Sequence, residues 1–339
     1  MNSRRRLNRF RDCRLSLRES VFSPFFRGAK DDIAILINTY LIQYMHSFIE
    51  PRVIARLKAL PFHARLPMLG SVSGMHRSPH RGSSLEFAEY RKYVPGDDTR
   101  RLDWRAYGRS DRYYIKEFEA DTNLRLCLIM DTSGSMNYAV GDQTKLNFAK
   151  QLCGTLAYLA AQQGDAIGLY CAGEKFDKQI SPKRSTSHLK TILDELDTVE
   201  ATGTTGLVAA LHEAAERIRQ RALVIIVSDL FVEPKELSDC FQHLRFRKHD
   251  AVVFHVMEQK EIDFDFDRPI RFNDLEGGAP VLADPSIVAS DYRKAIQQYL
   301  ADLQAVMRDA AVDYQRLGLD QHYGDVLAKF LLERAPKRK

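Results

Sequence analysis

Two aspartates and a small set of hydroxyls are the residues of this chain best suited to chemistry. Asp131 follows the apolar run Leu124-Arg-Leu-Cys-Leu-Ile-Met130, and Asp229 follows Ala222-Leu-Val-Ile-Ile-Val-Ser228. After Asp131 the chain reads Thr132-Ser133-Gly134-Ser135-Met136, so serines stand two and four residues beyond the acid. Thr204 and Thr205 precede an amphipathic helix pattern that opens near Gly206. Carboxylates and hydroxyls with no His or Cys beside them form a hard-oxygen donor set, which suits Mg²⁺ or Mn²⁺ and is wrong for zinc. Mg²⁺ takes six oxygens, so waters or a partner's carboxylate must complete a shell built on so few charges.

Other chemistries fit these residues less well. Thr-Ser-Gly-Ser-Met is not a G-x-S-x-G nucleophile turn, and no His is expected at a comparable strand end. An aspartyl nucleophile would want a second acid two residues on, where Ser133 stands instead. The plainest alternative is a strand-to-helix turn whose Asp and Ser only cap the next helix. Met136 and Phe148 read as core.

The elements around these residues alternate strand and helix. Apolar runs of strand length at 124–130, 165–172, 222–228 and 251–257 are separated by amphipathic stretches, among them Lys145-to-Gln163, a helix ending near Leu196, Gly206-to-Ile218 and Glu236-to-Phe246. A long helix over 290–311, a strand at 312–317 and a closing helix at 323–335 complete the pattern. Fully apolar strands between amphipathic helices predict a doubly wound, mostly parallel α/β sheet of Rossmann-like type, covered on two sides. In such a sheet the strand carboxyl ends share one edge, where ligands bind, so Asp131 and Asp229 are expected to be neighbours there.

The chain has 339 residues and a net charge of +5, but the charge is unevenly spread. Residues 1–30 carry nine Lys/Arg against two acids, and residues 50–116 carry fourteen against seven, so the remainder is net acidic. That asymmetry suits docking between the two parts or onto an acidic partner. Basic residues interleaved with acids, without an aromatic stacking motif, argue against nucleic acid. Five cysteines without a C-x-x-C pair suit a reduced compartment and small buried thiols.

Three regions follow from these patterns. Residues 1–45 read as a disordered basic stretch with a short apolar run, or as an over-called start with translation from Met45. The run from Ile33 is too short and polar for a membrane span and lacks a signal-peptide cleavage site, though it could form an amphipathic helix. Residues 46–120 read as a basic region with a short helix ending near Pro61, a Gly/Ser/Pro connector, and strands at 85–94 and from Arg112, a small β-rich appendage around the only tryptophan, Trp104. The turn from Asp97 through Asp98, Arg100, Arg101 and Asp103 either closes on its own ion pairs or lets Arg100, Arg101 and Arg105 face a partner. His76 and His80 read as solvent-exposed. Residues 121–339 form the α/β domain.

Asp-Thr-Ser-Gly-Ser with a later Thr and a later Asp resembles the metal-ion-dependent adhesion site (MIDAS) of von Willebrand factor A domains. The segment from His76 to Asp121, HRSPHRGSSLEFAEYRKYVPGDDTRRLDWRAYGRSDRYYIKEFEAD, resembles the signature region of the bacterial family called domain of unknown function fifty-eight, whose members pair it with an A domain. The resemblance spans about residues 50–335. It implies metal ligation by Asp131, Ser133 and Ser135, by Thr205 from the T-x-L-x-x-A-L helix start, and by Asp229 through water. Thr204 is the competing second-loop ligand, at a position often held by glycine in relatives. The resemblance also implies a non-enzymatic protein working beside a MoxR-type AAA+ ATPase, in chaperone-like assembly or metal insertion. The metal would capture an acidic side chain of that ATPase or of a client. A metal-dependent hydrolase in the same crevice and a scaffold with a structural metal are the alternatives. Many relatives carry membrane spans that find no counterpart here, so a cytoplasmic location away from the membrane is expected.

Overall fold

The computed structural model describes residues 46, 48–60, 62, 76–77, 86–93, 103–110, 112–119, 121–122, 124–174 and 178–335. The expectations for residues 1–45, His80, Arg100 and Arg101, and for the side chains of His76 and Arg105, lie outside them.

The front region begins with α1 (Pro51–Leu57), which opens on a proline at its first position and buries Val53, Ile54 and Leu57. Strands β1 (Glu86–Lys92) and β2 (Tyr114–Glu119) pair antiparallel with an irregularity between Phe87 and Glu89. Between them lies a helix rather than further strand, α2 (Trp104–Ser110). Asp103 nucleates it by accepting from the Ala106 backbone N–H at 3.2 Å, and Trp104 is 63% exposed. His76–Arg77 and Asp121–Thr122 form a second antiparallel pair, so Trp104 heads a short helix among strands, a helix that has no apolar stripe to announce it.

The main sheet is built from β3 (Arg125–Asp131), β4 (Ala166–Ala172), β5 (Lys178–Lys183), β6 (Leu223–Ser228), β7 (Asp250–Val256) and β8 (Asp313–Leu317). Their spatial order is β8-β7-β6-β3-β4-β5. All neighbours run parallel except β5, which is antiparallel to β4 at one edge. The helices are α3 (Lys145–Gln162), α4 (Thr186–Thr198), α5 (Leu207–Arg217), α6 (Pro234–Phe246), α7 (Gln259–Asp263), α8 (Pro285–Asp309) and α9 (Tyr323–Arg334). This is the doubly wound, mostly parallel α/β class expected from the alternating runs.

Strand periodicity sorts the core into two layers. Cys127 and Ile129 of β3, Val224 and Ile226 of β6, and Val253 of β7 pack with Leu207 and Leu211 of α5, Phe241 of α6, and Leu303 and Met307 of α8. The alternate residues face the other side, where Phe254 of β7 meets Phe330 of α9 edge to face at 5.2 Å. Met136 and Phe148 are buried, as expected. Arg334 of α9 is also buried, in ion pairs with Asp250 and Asp313 that tie the closing helix to β7 and β8. Among the described residues Cys127, Cys153, Cys171 and Cys240 are buried and unpaired, and no helix is long and apolar enough to cross a membrane.

Candidate functional site

Asp131 is the last residue of β3, held in mid-sheet between β4 and β6. Its carboxylate is 1% exposed and accepts from the Ser133 backbone N–H at 2.9 Å and the Ser228 hydroxyl at 2.6 Å. Burial, then the nearby Asp229 charge, push its pKa up to about 6, while the Ser228 and Ser133 hydrogen bonds pull the other way. Asp229 directly follows the Ser228 that bonds this carboxylate, and β6 runs parallel beside β3, so the two acids stand at adjacent strand ends. Ser133 is buried, and its Oγ lies 3.0 Å from that of Ser135. Ser135 belongs to the short 3₁₀ turn Gly134–Asn137, so both hydroxyls sit on one tight loop after β3.

Backbone bonds stitch the second loop to the first. Thr202 N–H donates to Thr132 C=O at 2.9 Å, and Gly134 N–H donates to Gly203 C=O at 2.8 Å. Thr204 and Thr205 therefore arrive at the same rim. Thr204 is exposed; Thr205 is half-buried, and its Oγ1 accepts a long 3.4 Å bond from Leu207 N–H at the start of α5. A Cβ on Gly206 would overlap the Gly173 carbonyl, so only glycine lets the α5 start approach the end of β4 this closely.

The third loop is sharply bent. Leu230, directly after Asp229, takes φ +56°, and its N–H donates to Ser228 Oγ at 2.9 Å. Ser228 thereby bridges the turn and the Asp131 carboxylate.

Several residues that shape this site gave no signal in the sequence. Lys145, at the start of α3, is fully buried, with Nζ 3.1 Å from Asp229 Oδ2 and 2.7 Å from Glu261 Oε1. The Tyr138 and Phe231 rings flank this ammonium at 5.4 and 5.0 Å. A lysine heading a helix ordinarily reads as solvated; only the fold shows a buried pair of acids waiting for it. His255 of β7 stands in register with Ser228, which corrects the expectation that no His lies at a comparable strand end. The fully apolar setting of AVVFHVM hid it. Its Nε2 bonds the Asp229 carbonyl at 2.9 Å, its Nδ1 bonds the Tyr314 hydroxyl at 2.7 Å, and burial lowers its pKa to about 4. It is a neutral strut, with both ring nitrogens engaged.

Among the described residues no group of three or more His, Cys, Asp or Glu is placed to hold a metal. The rim instead offers the carboxylates of Asp131 and Asp229 with neighbouring hydroxyls. This donor set fits a hard divalent cation: burial and the neighbouring acid oppose ionisation of Asp131 in the absence of a counter-charge, and Lys145 meets only one oxygen of Asp229. Beside the rim, a cavity of about 400 Å³ is lined by Thr132, Glu174, Lys178, Glu200 and Thr202 among others.

Two curated relatives, uncharacterized proteins of Mycobacterium bovis and Mycobacterium tuberculosis, are each 23% identical over 290 residues, covering 84% of this chain and 90% of theirs. Similar solved structures include an aerotolerance-related membrane protein from Bacteroides fragilis (15% identity, TM-score 0.43, 62% of this chain and 98% of that one). BatB from Bacteroides thetaiotaomicron (16%, TM-score 0.41, 63% and 99%) and the SpRpn10 VWA domain (11%, TM-score 0.38, 61% and 95%) are further neighbours. Residues 89–305 match the family described as Protein of unknown function DUF58, and the chain belongs to that family.

Proposed function

We propose that the protein is a non-enzymatic, Mg²⁺-dependent protein-interaction module. Asp131, Ser133, Ser135 and Thr205 would hold the ion, with Asp229 acting through water; Mn²⁺ would serve equally. The bound ion would supply a Lewis-acidic position for an acidic side chain of a partner. The observation that carries this reading is the placement of Asp131 beside Asp229 and the Ser133–Ser135 hydroxyl pair, at the sheet edge where the loops after β3 and β6 and the start of α5 meet. The protein's own contribution is preorganisation: Ser228 and the Ser133 N–H fix the Asp131 carboxylate, and Lys145 fixes that of Asp229.

The partner we propose is a MoxR-type AAA+ ATPase or a client protein that it helps to assemble, in the cytoplasm. Support for that partner comes from the family resemblance of the front region. The test uses calorimetric titration of Mg²⁺ into the full chain and into Asp131→Ala, followed by capture of a purified MoxR-type ATPase in Mg²⁺ or in chelator. Ion binding and capture lost together in Asp131→Ala support the reading; equal capture in chelator overturns it. A hydrolase in the same crevice would need a proton acceptor open to substrate, and the engagement of both His255 nitrogens weighs against that histidine in the role.

A further inference from the structure

Lys145 is the first residue of α3, and its backbone is tightly fixed. Its N–H donates to the Tyr138 C=O at 3.0 Å, and the preceding Thr144 caps the helix by accepting from Asn147 N–H at 2.9 Å. The start of a helix carries positive partial charge, so a cation is least at home there. The side chain is nevertheless fully buried, and an ammonium so placed must be answered by acids.

Two acids answer it. Nζ lies 3.1 Å from Asp229 Oδ2 and 2.7 Å from Glu261 Oε1. The other oxygen of Glu261 accepts from the Glu258 N–H at 2.7 Å, in the capping box of α7, so this acid is engaged at both oxygens. The rings of Tyr138 and Phe231 flank the ammonium and bring in the loops after β3 and β6. One positive charge is thus shared between an acid of the rim and an acid of α7. A lysine paired with Asp229 alone would be stranded in the interior when a divalent cation took over that carboxylate. Glu261 gives the ammonium a second partner to keep.

From this sharing we infer that Lys145 is the built-in counter-ion of the rim. It answers Asp229 in the ion-free site and shifts to Glu261 when a divalent cation takes that charge over. The inference rests on the metal-site reading proposed above and adds its regulation. Lys145 weakens ion binding by competing for Asp229, and Glu261 limits that weakening by drawing the ammonium away. Both are positioning residues: they act through Asp229 and do not touch the ion. Ion loading is thereby coupled to the contact between α3 and α7.

The test uses Mn²⁺ alone as probe on the full-length chain, with free Mn²⁺ followed by electron paramagnetic resonance. Lys145→Met is expected to bind Mn²⁺ about tenfold more tightly, because the competing charge is gone. Glu261→Gln is expected to bind about tenfold more weakly, because the whole ammonium charge then falls to Asp229. The double variant should stay within about threefold of Lys145→Met, since Glu261 acts through the ammonium. Weaker binding in both single variants, the mark of disturbed packing alone, overturns the inference. A double variant that returns to wild-type affinity also overturns it, because the two residues would then act independently. The Glu261→Gln arm stands even where Lys145→Met fails to fold, and unchanged or tighter binding there overturns the inference. Binding in wild type that is lost in Asp131→Ala keeps the metal site standing whichever way these arms fall. Absence of Mn²⁺ binding in wild type removes the site itself, and the inference with it.

Discussion

The ammonium of Lys145 lies 3.1 Å from the carboxylate of Asp229, across 84 residues of sequence, with both side chains almost wholly out of water. The same ammonium also holds Glu261, so the first turn of α3 and the start of α7 are joined to the β6 strand end through one cation. Lys145→Met would keep much of the side-chain volume and leave two acids without their counter-charge. We expect a loss of about 3–5 kcal/mol in unfolding free energy, measured by urea titration in chelator. Part of that loss should be recovered on adding Mg²⁺ if the ion takes over the charge of Asp229.

Asp131→Asn tests the opposite sign. Burial and Asp229 raise the folded pKa of Asp131 to about 6, so the folded state holds a proton more tightly than the unfolded chain does. That contribution favours folding in acid and is lost as pH rises through about 6. At pH 8 the ionised carboxylate is therefore a burden on the metal-free protein. Replacing it with the neutral amide should raise metal-free stability by about 1 kcal/mol at pH 8 and abolish Mg²⁺ binding. Thermal melts with and without Mg²⁺ read both effects.

The buried histidines set the acid limit. His249 accepts from the Ala222 backbone N–H at 3.2 Å, and burial followed by the Arg247 charge lowers its pKa to about 4; burial does the same for His255. For a histidine with a depressed folded pKa, the unfolded chain takes up the proton first. Stability should therefore fall as pH drops from about 6.5 toward 4, by up to about 3 kcal/mol for each residue. Urea midpoints at pH 7.5, 6 and 5 measure the slope, and His249→Asn should flatten it.

Gly134→Ala probes the close approach of the chain around Leu275, between α7 and α8, to the loop after β3. The added methyl would meet the Leu275 carbonyl, so we expect a cost of about 1–3 kcal/mol. Limited proteolysis should cut within 273–278 faster than in wild type. An unchanged melting temperature and cleavage pattern would contradict the close approach.

Much of this architecture was legible in the sequence because apolar strands bounded by acids carry their own signal. The runs ending at Asp131 and Asp229 gave β3, β6 and the shared rim directly, and the alternation with amphipathic stretches gave the helices. The reversed direction of β5 carried no such mark: four of the six residues of Lys178–Lys183 are polar and one is Pro182, which suits an edge but says nothing of its sense. Periodicity places the start of α8 at Ser290, although Asp284 caps it by accepting from Ser286 N–H at 3.0 Å and Pro285 opens it. That cap and proline stand before the apolar stripe begins, which is why periodicity placed the start late. In the site, the acids and hydroxyls declared themselves by spacing. Lys145, Ser228 and Glu261 did not, because each acts on a neighbour that is distant along the chain.

The position of Asp131 within its sheet has a mechanical consequence. Its strand is clamped by backbone bonds on both flanks, whereas the chain between α7 and α8 is held by a ribbon of two three-residue strands, Ile270–Phe272 and Val281–Ala283. So small a ribbon has little cohesion of its own. The rim and the ribbon beside it therefore differ in stiffness: deuterium should enter the amides of 270–283 long before those of 125–131.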